Sequence, residues 1–253
     1  MDKTIIKNNF SRYAHLYDRY SGVQENIAAE LIKNADSNGF RNILELGCGT
    51  GNFTRLLRNK FQQARVKALD ISPEMIALCR RKLPKRGLEF ILADAEKFES
   101  SGSFDLIASN ATFQWFMDLE ATLAKYAACL RDGGTIIFST FGPKTFRELD
   151  WVLKSLFKDA AVPAAFFAPR KKLEKALRNN FRKFRVSEKV YRENFSSLRD
   201  LLLKIKYSGI RGNGLNRRRL FSRQHLHAMQ EVYLDRFKGI SVTYQVFYCQ
   251  GRK

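Results

Sequence analysis

The chain has 253 residues, of which 45% are hydrophobic and 28% charged, enough for one α/β domain with an insertion. It has no run of about 18 apolar residues, and its N-terminus lacks the charged-then-apolar layout of a secretory signal. Forty-five Lys and Arg oppose 25 Asp and Glu, giving a net charge of +20. Composition therefore excludes a helical membrane protein and favours a cytoplasmic one.

Residues 3–35 are predicted to form one or two amphipathic helices, divided at Ser21 and Gly22. Aromatic residues recur there at spacings of three and four, as one helical face requires. An aromatic face is commonly part of a core, but here it precedes the first strand and could cover the mouth of a pocket. The face consists of Phe10, Tyr13, Ala14, Tyr17 and Tyr20.

Residues 42–47 are predicted to form a buried strand that leads directly into three glycines, followed by a helix over about 52–60. Glycine tolerates the positive φ of a tight strand-to-helix turn, and such a turn builds a nucleotide pocket at the carboxyl end of a sheet. The spacing Gly47-x-Gly49-x-Gly51 departs from the dinucleotide fingerprint, and the nearby Glu45 would repel a phosphate. A cationic ligand without phosphate is therefore expected.

Strands then alternate with helices, which predicts a parallel sheet with right-handed crossovers. Asp70 ends the second strand about 20 residues beyond the glycines, where a carboxylate commonly accepts ribose hydroxyls. Ser72 and Pro73 are suited to start the next helix. Asp94 follows the third strand and can accept the exocyclic amine of adenine. The remaining predictions are strands over 66–70, 88–92, 104–109 and 135–140, and a helix from Asp118 to about Leu130, followed by a turn over 132–134.

Beyond residue 141 the alternation stops and the charge changes. The first 140 residues hold 19 basic and 16 acidic side chains, whereas the remainder hold 26 and 9. This asymmetry favours an acidic macromolecular partner, although a simply solvated surface is the alternative. Helices are predicted over 144–158, 170–181, 197–208 and about 222–236, strands over 183–192 and 240–248, and a mobile basic loop over 209–219.

The cysteines and histidines predict neither a metal site nor a disulfide framework, because their spacings match no known metal-binding or disulfide pattern. Reduced thiols are expected. These residues are Cys48, Cys79, Cys129, Cys249, His15, His225 and His227.

The string Glu45-Leu46-Gly47-Cys48-Gly49-Thr50-Gly51 after a strand resembles motif I of the class I S-adenosylmethionine (SAM) methyltransferases. The resemblance implies a Rossmann-like fold with a seven-stranded, mostly parallel sheet. We expect one methyltransferase domain over 1–253, with an N-terminal helical lid over 1–38 and a SAM-binding core over 40–141. The domain is completed by a basic, mainly helical region over 142–236, which includes one strand, and by a final strand over 239–250.

The molecule that accepts the methyl group decides which further side chains a methyltransferase needs. Nucleobase amines are typically served by an Asn/Asp-Pro-Pro-aromatic motif after strand four, but Ser109-Asn110-Ala111-Thr112 stands there. Carbon methylation of pyrimidines needs a cysteine nucleophile, and no cysteine lies in that context. A carboxylate is already ionised at neutral pH and needs orientation instead of a general base. Arg147, after strand five, could hold it through paired N–H donors.

Four motifs together resemble the malonyl-[acyl-carrier-protein] O-methyltransferases of biotin synthesis, over about residues 5–150 and weakly at 242–246. This family methylates the free carboxyl of a malonyl thioester, which then serves as a primer toward pimeloyl. Acyl carrier proteins are acidic, which fits docking on basic residues of 144–219. The motifs are Asn9-Phe10-Ser11-Arg12-Tyr13-Ala14-x-x-Tyr17-Asp18 with Val23-Gln24; Leu46–Gly51; Ser109-Asn110-Ala111-x-x-Gln114-Trp115; and Phe141-Gly142-Pro143-x-Thr145-Phe146-x-Glu148-Leu149.

By motif, the resemblance implies a SAM site, no metal, and an acceptor site positioned by Arg147 with Tyr13 or Trp115. The SAM-binding residues would be Tyr17, Gln24, Glu45, Gly47, Gly49, Gly51, Asp70, Ile71, Met75, Asp94, Ala95 and Asn110.

Three alternatives remain open from the residues alone. Net +20 would suit an RNA methyltransferase, although the Pro-Pro motif and a separate RNA-binding module are missing and nucleic acid is the less favoured partner. A small-molecule carboxyl methyltransferase would use the same site. A SAM-binding protein without catalysis would act through its basic face.

Overall fold

The computed structural model describes residues 2–35, 39–100, 102–157, 160–209 and 222–253. Seven strands form one sheet in the order β3-β2-β1-β4-β5-β7-β6. The strands are β1 Asn42–Leu46, β2 Arg65–Asp70, β3 Leu88–Leu92, β4 Phe104–Ser109, β5 Leu130–Phe141, β6 Lys183–Phe195 and β7 Ile240–Arg252. The first five strands pair in parallel, and β7 pairs antiparallel with β5 and β6. The predicted seven-stranded, mostly parallel fold is confirmed.

The helices are α1 Lys3–Tyr20, α2 Gly22–Lys33, α3 Asn52–Lys60, α4 Pro73–Lys82, α5 Leu119–Ala128, α6 Arg147–Leu156, α7 Arg170–Asn180, α8 Leu198–Tyr207 and α9 Arg223–Phe237. The predicted caps hold, since Ser72 and Asp118 accept N–H bonds at the starts of α4 and α5. Among the described residues, no helix is both long and apolar enough to cross a membrane.

The sheet is covered on both faces, which explains why its central strands are almost entirely buried. All six residues of β4 are buried. One apolar cluster joins the sheet to α2, α3, α6 and α9, and a second joins it to α5 and α7. Helix α1 lies at the carboxyl edge of the sheet, where it packs on α4 and α8.

Several predicted boundaries were wrong in detail, since β6 runs to Phe195 and β7 to Arg252, beyond the predicted ends at 192 and 248. Helix α6 begins at Arg147, not at residue 144, because Phe146 adopts the left-handed conformation with φ 60°. Strand β5 begins at Leu130 instead of residue 135, but its pairing with β4 jumps from Phe104↔Leu130 to Leu106↔Thr135. The residues of the predicted turn, 132–134, therefore form an irregular segment inside the strand. Most of the predicted basic loop, residues 210–219, lies outside the described residues.

Candidate active site

The glycine loop joins β1 to α3 through three left-handed residues. Gly47, Gly49 and Gly51 have φ values of 74°, 55° and 88°, which other residues rarely adopt. Gly47 also faces a close neighbour, because an added Cβ would lie 2.2 Å from Oγ1 of Thr112. An added Cβ at Gly49 would meet no heavy atom within 4 Å. The backbone of Gly49 is therefore open to a ligand.

Asp70, at the end of β2, holds this loop in place. Its Oδ2 accepts the N–H of Gly49 and its Oδ1 accepts the N–H of Ser72, each at 2.8 Å. Each oxygen keeps a lone pair for a further donor. Burial raises the pKa of Asp70 to about 6, although the backbone hydrogen bonds act in the opposite direction. The carboxylate is thus available to accept hydroxyl groups at neutral pH.

A cavity of about 700 Å³, counted with the space open to solvent, lies in front of the loop and Asp70. It lies at the carboxyl edge of the parallel strands, where nucleotides bind in open α/β sheets. Ten of the predicted site residues line it. They are Tyr17, Gly47, Gly49, Asp70, Ile71, Met75, Asp94, Ala95, Asn110 and Trp115.

A smaller cavity of about 360 Å³ adjoins it, and Tyr17, Gly47, Gly49 and Asn110 line both. Predicted site residue Gln24 lines only the smaller one. Its backbone carbonyl accepts the Asn110 side-chain amide at 3.0 Å. Its side-chain Oε1 is buried and has no hydrogen-bond partner in the described part of the chain. Such an acceptor suits a ligand that carries an ammonium or amide donor.

Two predicted residues support the loop from behind. Gly51 lines neither cavity and starts α3, with an added Cβ 2.8 Å from Leu83 Cδ1. Glu45 is fully buried and its Oε2 accepts the Thr54 hydroxyl at 2.6 Å. Burial raises the pKa of Glu45 to about 8, so its carboxyl is largely protonated at neutral pH. Its Oε1 finds no partner among the described residues.

Helix α1 covers one side of the large cavity and is held there by ion pairs and hydrogen bonds near both of its ends. The Nζ of Lys3 lies 2.6 Å from Asp94 Oδ1 and 2.5 Å from Glu96 Oε2. Asp18, nearer the end of α1, accepts the Thr50 hydroxyl and pairs with Lys82. These bonds place the helix over the glycine loop and over the residue that follows β3.

The predicted acceptor residues occupy three different places. Trp115 is buried in the wall of the large cavity. The ring of Tyr13 instead packs edge-on against Tyr207, with centroids 5.2 Å apart. Arg147 is half exposed and its Nε donates to Glu148 at 3.0 Å. Neither Tyr13 nor Arg147 is among the described residues that line the two cavities.

Sequence reasoning missed several lining residues, among them Lys3, Ile6, Thr112 and Phe116. Thr112 and Phe116 lie beside the quoted Asn110 and Trp115, and this proximity was the available signal. Lys3 had no such signal, because its partner Asp94 is 91 residues away.

Comparison with known proteins places this arrangement among the methyltransferases. Residues 44–138 match the family model described as "Methyltransferase domain". The N-methyltransferase NodS from Bradyrhizobium japonicum, solved with S-adenosyl-L-homocysteine, superposes with a TM-score of 0.54 at 15% identity, covering 98% of each chain. The fold and the loop thus define a class I methyltransferase.

Two relatives are similar over almost the whole chain. Malonyl-[acyl-carrier protein] O-methyltransferase 2 of Ilyobacter polytropus is 35% identical over 98% of this chain and 97% of its own length. The malonyl-[acyl-carrier protein] O-methyltransferase of Acetivibrio thermocellus is 33% identical over 100% of this chain and 95% of its own. The chain belongs to the malonyl-[acyl-carrier protein] O-methyltransferase family.

Proposed function

We propose that the protein transfers a methyl group from SAM to the free carboxylate of a malonyl thioester on an acyl carrier protein. The observation that carries this proposal is the similarity of nearly the entire chain to enzymes of that name. The product, malonyl-acyl carrier protein methyl ester, would serve as a primer on the route through pimeloyl to biotin. We place the reaction in the cytoplasm.

Four features of the two adjoining cavities support binding of SAM. Gly49 leaves open space where any side chain would project. Asp70 presents two acceptor oxygens for the ribose hydroxyls, and Asp94 lines the same cavity as a candidate acceptor for the adenine amine. The buried Oε1 of Gln24 offers an acceptor to the amino group of the methionine part. When bound, SAM supplies a methyl carbon on a sulfonium, which a nucleophile attacks in line as the C–S bond breaks.

Methylation of a carboxylate requires mainly that the protein orients the substrate. A malonyl carboxylate is ionised at neutral pH, so no side chain has to remove a proton. The protein must hold it near the methyl carbon and exclude water. Arg147 is our candidate for the carboxylate clamp and Trp115 for the wall of the acceptor channel, with Tyr13 as a second candidate. Methylation would also remove a charge that apolar synthase pockets reject.

The partner would be an acidic acyl carrier protein docking on basic residues of 144–219. Residues 141–253 carry 26 basic against 9 acidic side chains, which gives the field that attracts such a partner. The same charge would also attract RNA, so the assay must offer both.

The test is transfer of radiolabelled methyl from SAM to malonyl-acyl carrier protein, with malonyl-CoA and bulk tRNA in parallel. We expect label on the malonyl thioester, removable by mild base as expected for an ester. Label only on tRNA would overturn the proposal. Label on malonyl-CoA alone would retain carboxyl methylation and remove the carrier protein from it.

A further inference from the structure

A second concavity, a groove of about 1280 Å³, lies beside α7. Its lining is mostly apolar and includes Phe167 and Leu173. Two of its residues are unusually exposed for their type, Phe166 at 76% and Met117 at 58%. Exposed apolar residues that cluster in one groove commonly mark a binding surface.

The groove shares a wall with the SAM cavity. Phe116 lines both. Trp115 lines the SAM cavity, and its ring packs edge-on against Phe167 of the groove with centroids 5.6 Å apart. Gln114 lines the groove while its amide donates to the carbonyl of Ala111, a lining residue of the cavity. A ligand in the groove would therefore lie next to the SAM cavity, with Phe116 at the border between the two.

The rim of the groove is basic. Lys172 lines it directly, and Lys171, Lys175 and Arg178 are exposed on the same helix, although Lys175 lies 3.8 Å from Glu120. The helix has a single acidic residue, Glu174, which is already paired with Arg170 at 2.7 Å. An acidic partner is the one this rim would attract.

We propose that this groove receives the phosphopantetheine arm of the malonyl-loaded carrier protein, whose acidic surface docks on Lys171 and Lys172. The inference rests on the proposed function and specifies where its partner binds. The arm is a largely apolar chain of neutral amides that ends in the thioester, so it suits an apolar groove. The carrier and the phosphate carry negative charge, so they suit the basic rim. The arm would then pass Phe116, which lines both concavities, so that the malonyl carboxylate reaches the SAM cavity.

Two sets of variants test the two parts of the contact. Lys171→Glu/Lys172→Glu reverses the rim, and Lys85→Glu/Arg86→Glu makes the same charge change on exposed residues before β3, at the opposite, amino end of the sheet. Ala168→Trp fills the groove, and Phe166→Ala removes its most exposed aromatic ring without adding bulk. Steady-state methyl transfer is measured with malonyl-acyl carrier protein and with malonyl-CoA, and the SAM Kd is measured by calorimetry.

We expect the Lys171/Lys172 variant to raise the KM for the carrier substrate at least about tenfold, with kcat and the SAM Kd unchanged. The Lys85/Arg86 variant should keep all three constants. Malonyl-CoA keeps the phosphate of the arm but lacks the acidic surface of the carrier, so the rim variant should raise its KM clearly less than that of the carrier substrate. Ala168→Trp and Phe166→Ala should impair both thioesters without loss of SAM binding.

Equal effects of the two charge reversals would overturn the assignment, because any loss of positive charge would then suffice. An equal rise in KM for malonyl-CoA would also overturn it, since the carrier would not be what the rim binds. Groove variants with wild-type constants for both thioesters would show that the arm enters elsewhere. If the wild-type protein methylates neither thioester, the proposed function itself fails, a result distinct from all of these.

Discussion

Replacing Asp70 by Asn tests the SAM site at its best-defined contact. Each Asp70 oxygen already accepts one backbone N–H and has capacity for one ribose hydroxyl. The amide keeps one acceptor oxygen and turns the other into a donor, so one hydroxyl loses its acceptor. A hydrogen bond to a charged group contributes about 1.5 to 3 kcal/mol. A loss of about 2 kcal/mol corresponds to a roughly 30-fold weaker SAM Kd.

The pH dependence of SAM binding gives an independent measure of the same contact. Burial raises the pKa of Asp70 to about 6, and the ligand prefers the ionised carboxylate. The apparent affinity should therefore be constant above pH 7 and fall toward about tenfold weaker binding at pH 5, one unit below the pKa. The Asp70→Asn variant, which cannot ionise there, should lack this dependence.

Isothermal titration calorimetry with SAM between pH 5 and 8 is the assay, with thermal unfolding as a check on the fold. Glu74→Gln is the matched control, because this substitution removes one negative charge from an exposed residue of the same turn. The reasoning would be refuted by a SAM Kd that stays at the wild-type value in Asp70→Asn. A wild-type Kd that does not change between pH 7 and 5 would refute it equally.

Three further predictions concern the loop, the acceptor and the buried acid. Gly49→Ala and Gly133→Ala both place a side chain at positive φ and should each lose about 1 to 2 kcal/mol of stability. Only Gly49→Ala should weaken SAM binding, and equal SAM Kd values in the two variants would contradict an open ligand-facing backbone. Arg147→Ala should raise the KM for malonyl-acyl carrier protein or lower kcat by roughly tenfold or more while the SAM Kd holds; wild-type constants would remove Arg147 as the clamp. Glu45, with its pKa raised to about 8 by burial, holds its proton only when folded, so its contribution to the free energy of unfolding falls as pH rises from about 4.5 to 8. Glu45→Gln cannot ionise, so its melting temperature should rise relative to that of the wild type as the pH increases from 5 to 8. Parallel curves of melting temperature against pH would contradict a buried, protonated Glu45.

The strands and helices could be predicted because local signals agreed with the final packing. Ser72 and Asp118 cap helices in the structure as their positions before apolar periods suggested. The glycine spacing likewise reflects a backbone requirement that is local to the turn, since all three glycines have positive φ. Where local chemistry decides the conformation, the sequence is sufficient.

The rest depended on contacts between distant parts of the chain. Lys3 reaches Asp94 across 91 positions, and helical periodicity predicts that a face is buried without naming what covers it. Tyr13 illustrates the limit, because its aromatic face was predicted but its packing on Tyr207 was not. The groove beside α7 also escaped prediction, since it forms only where residues 113–119 meet residues 163–173.

The distribution of charge gives the two halves of the chain complementary roles. SAM carries a cationic sulfonium, so a strongly basic cavity would repel it, whereas an acidic carrier protein requires a basic surface. The chain separates these demands, because residues 1–140 are nearly neutral and residues 141–253 carry most of the excess positive charge. At 0.1 M salt the field of an exposed charge decays over about 10 Å, so the exposed lysines of α7 act mainly on a partner at the protein surface. The basic rim on α7 can therefore attract an acidic partner, while the SAM cavity, where Asp94 already pairs with Lys3, keeps the Asp70 carboxylate for a cationic ligand.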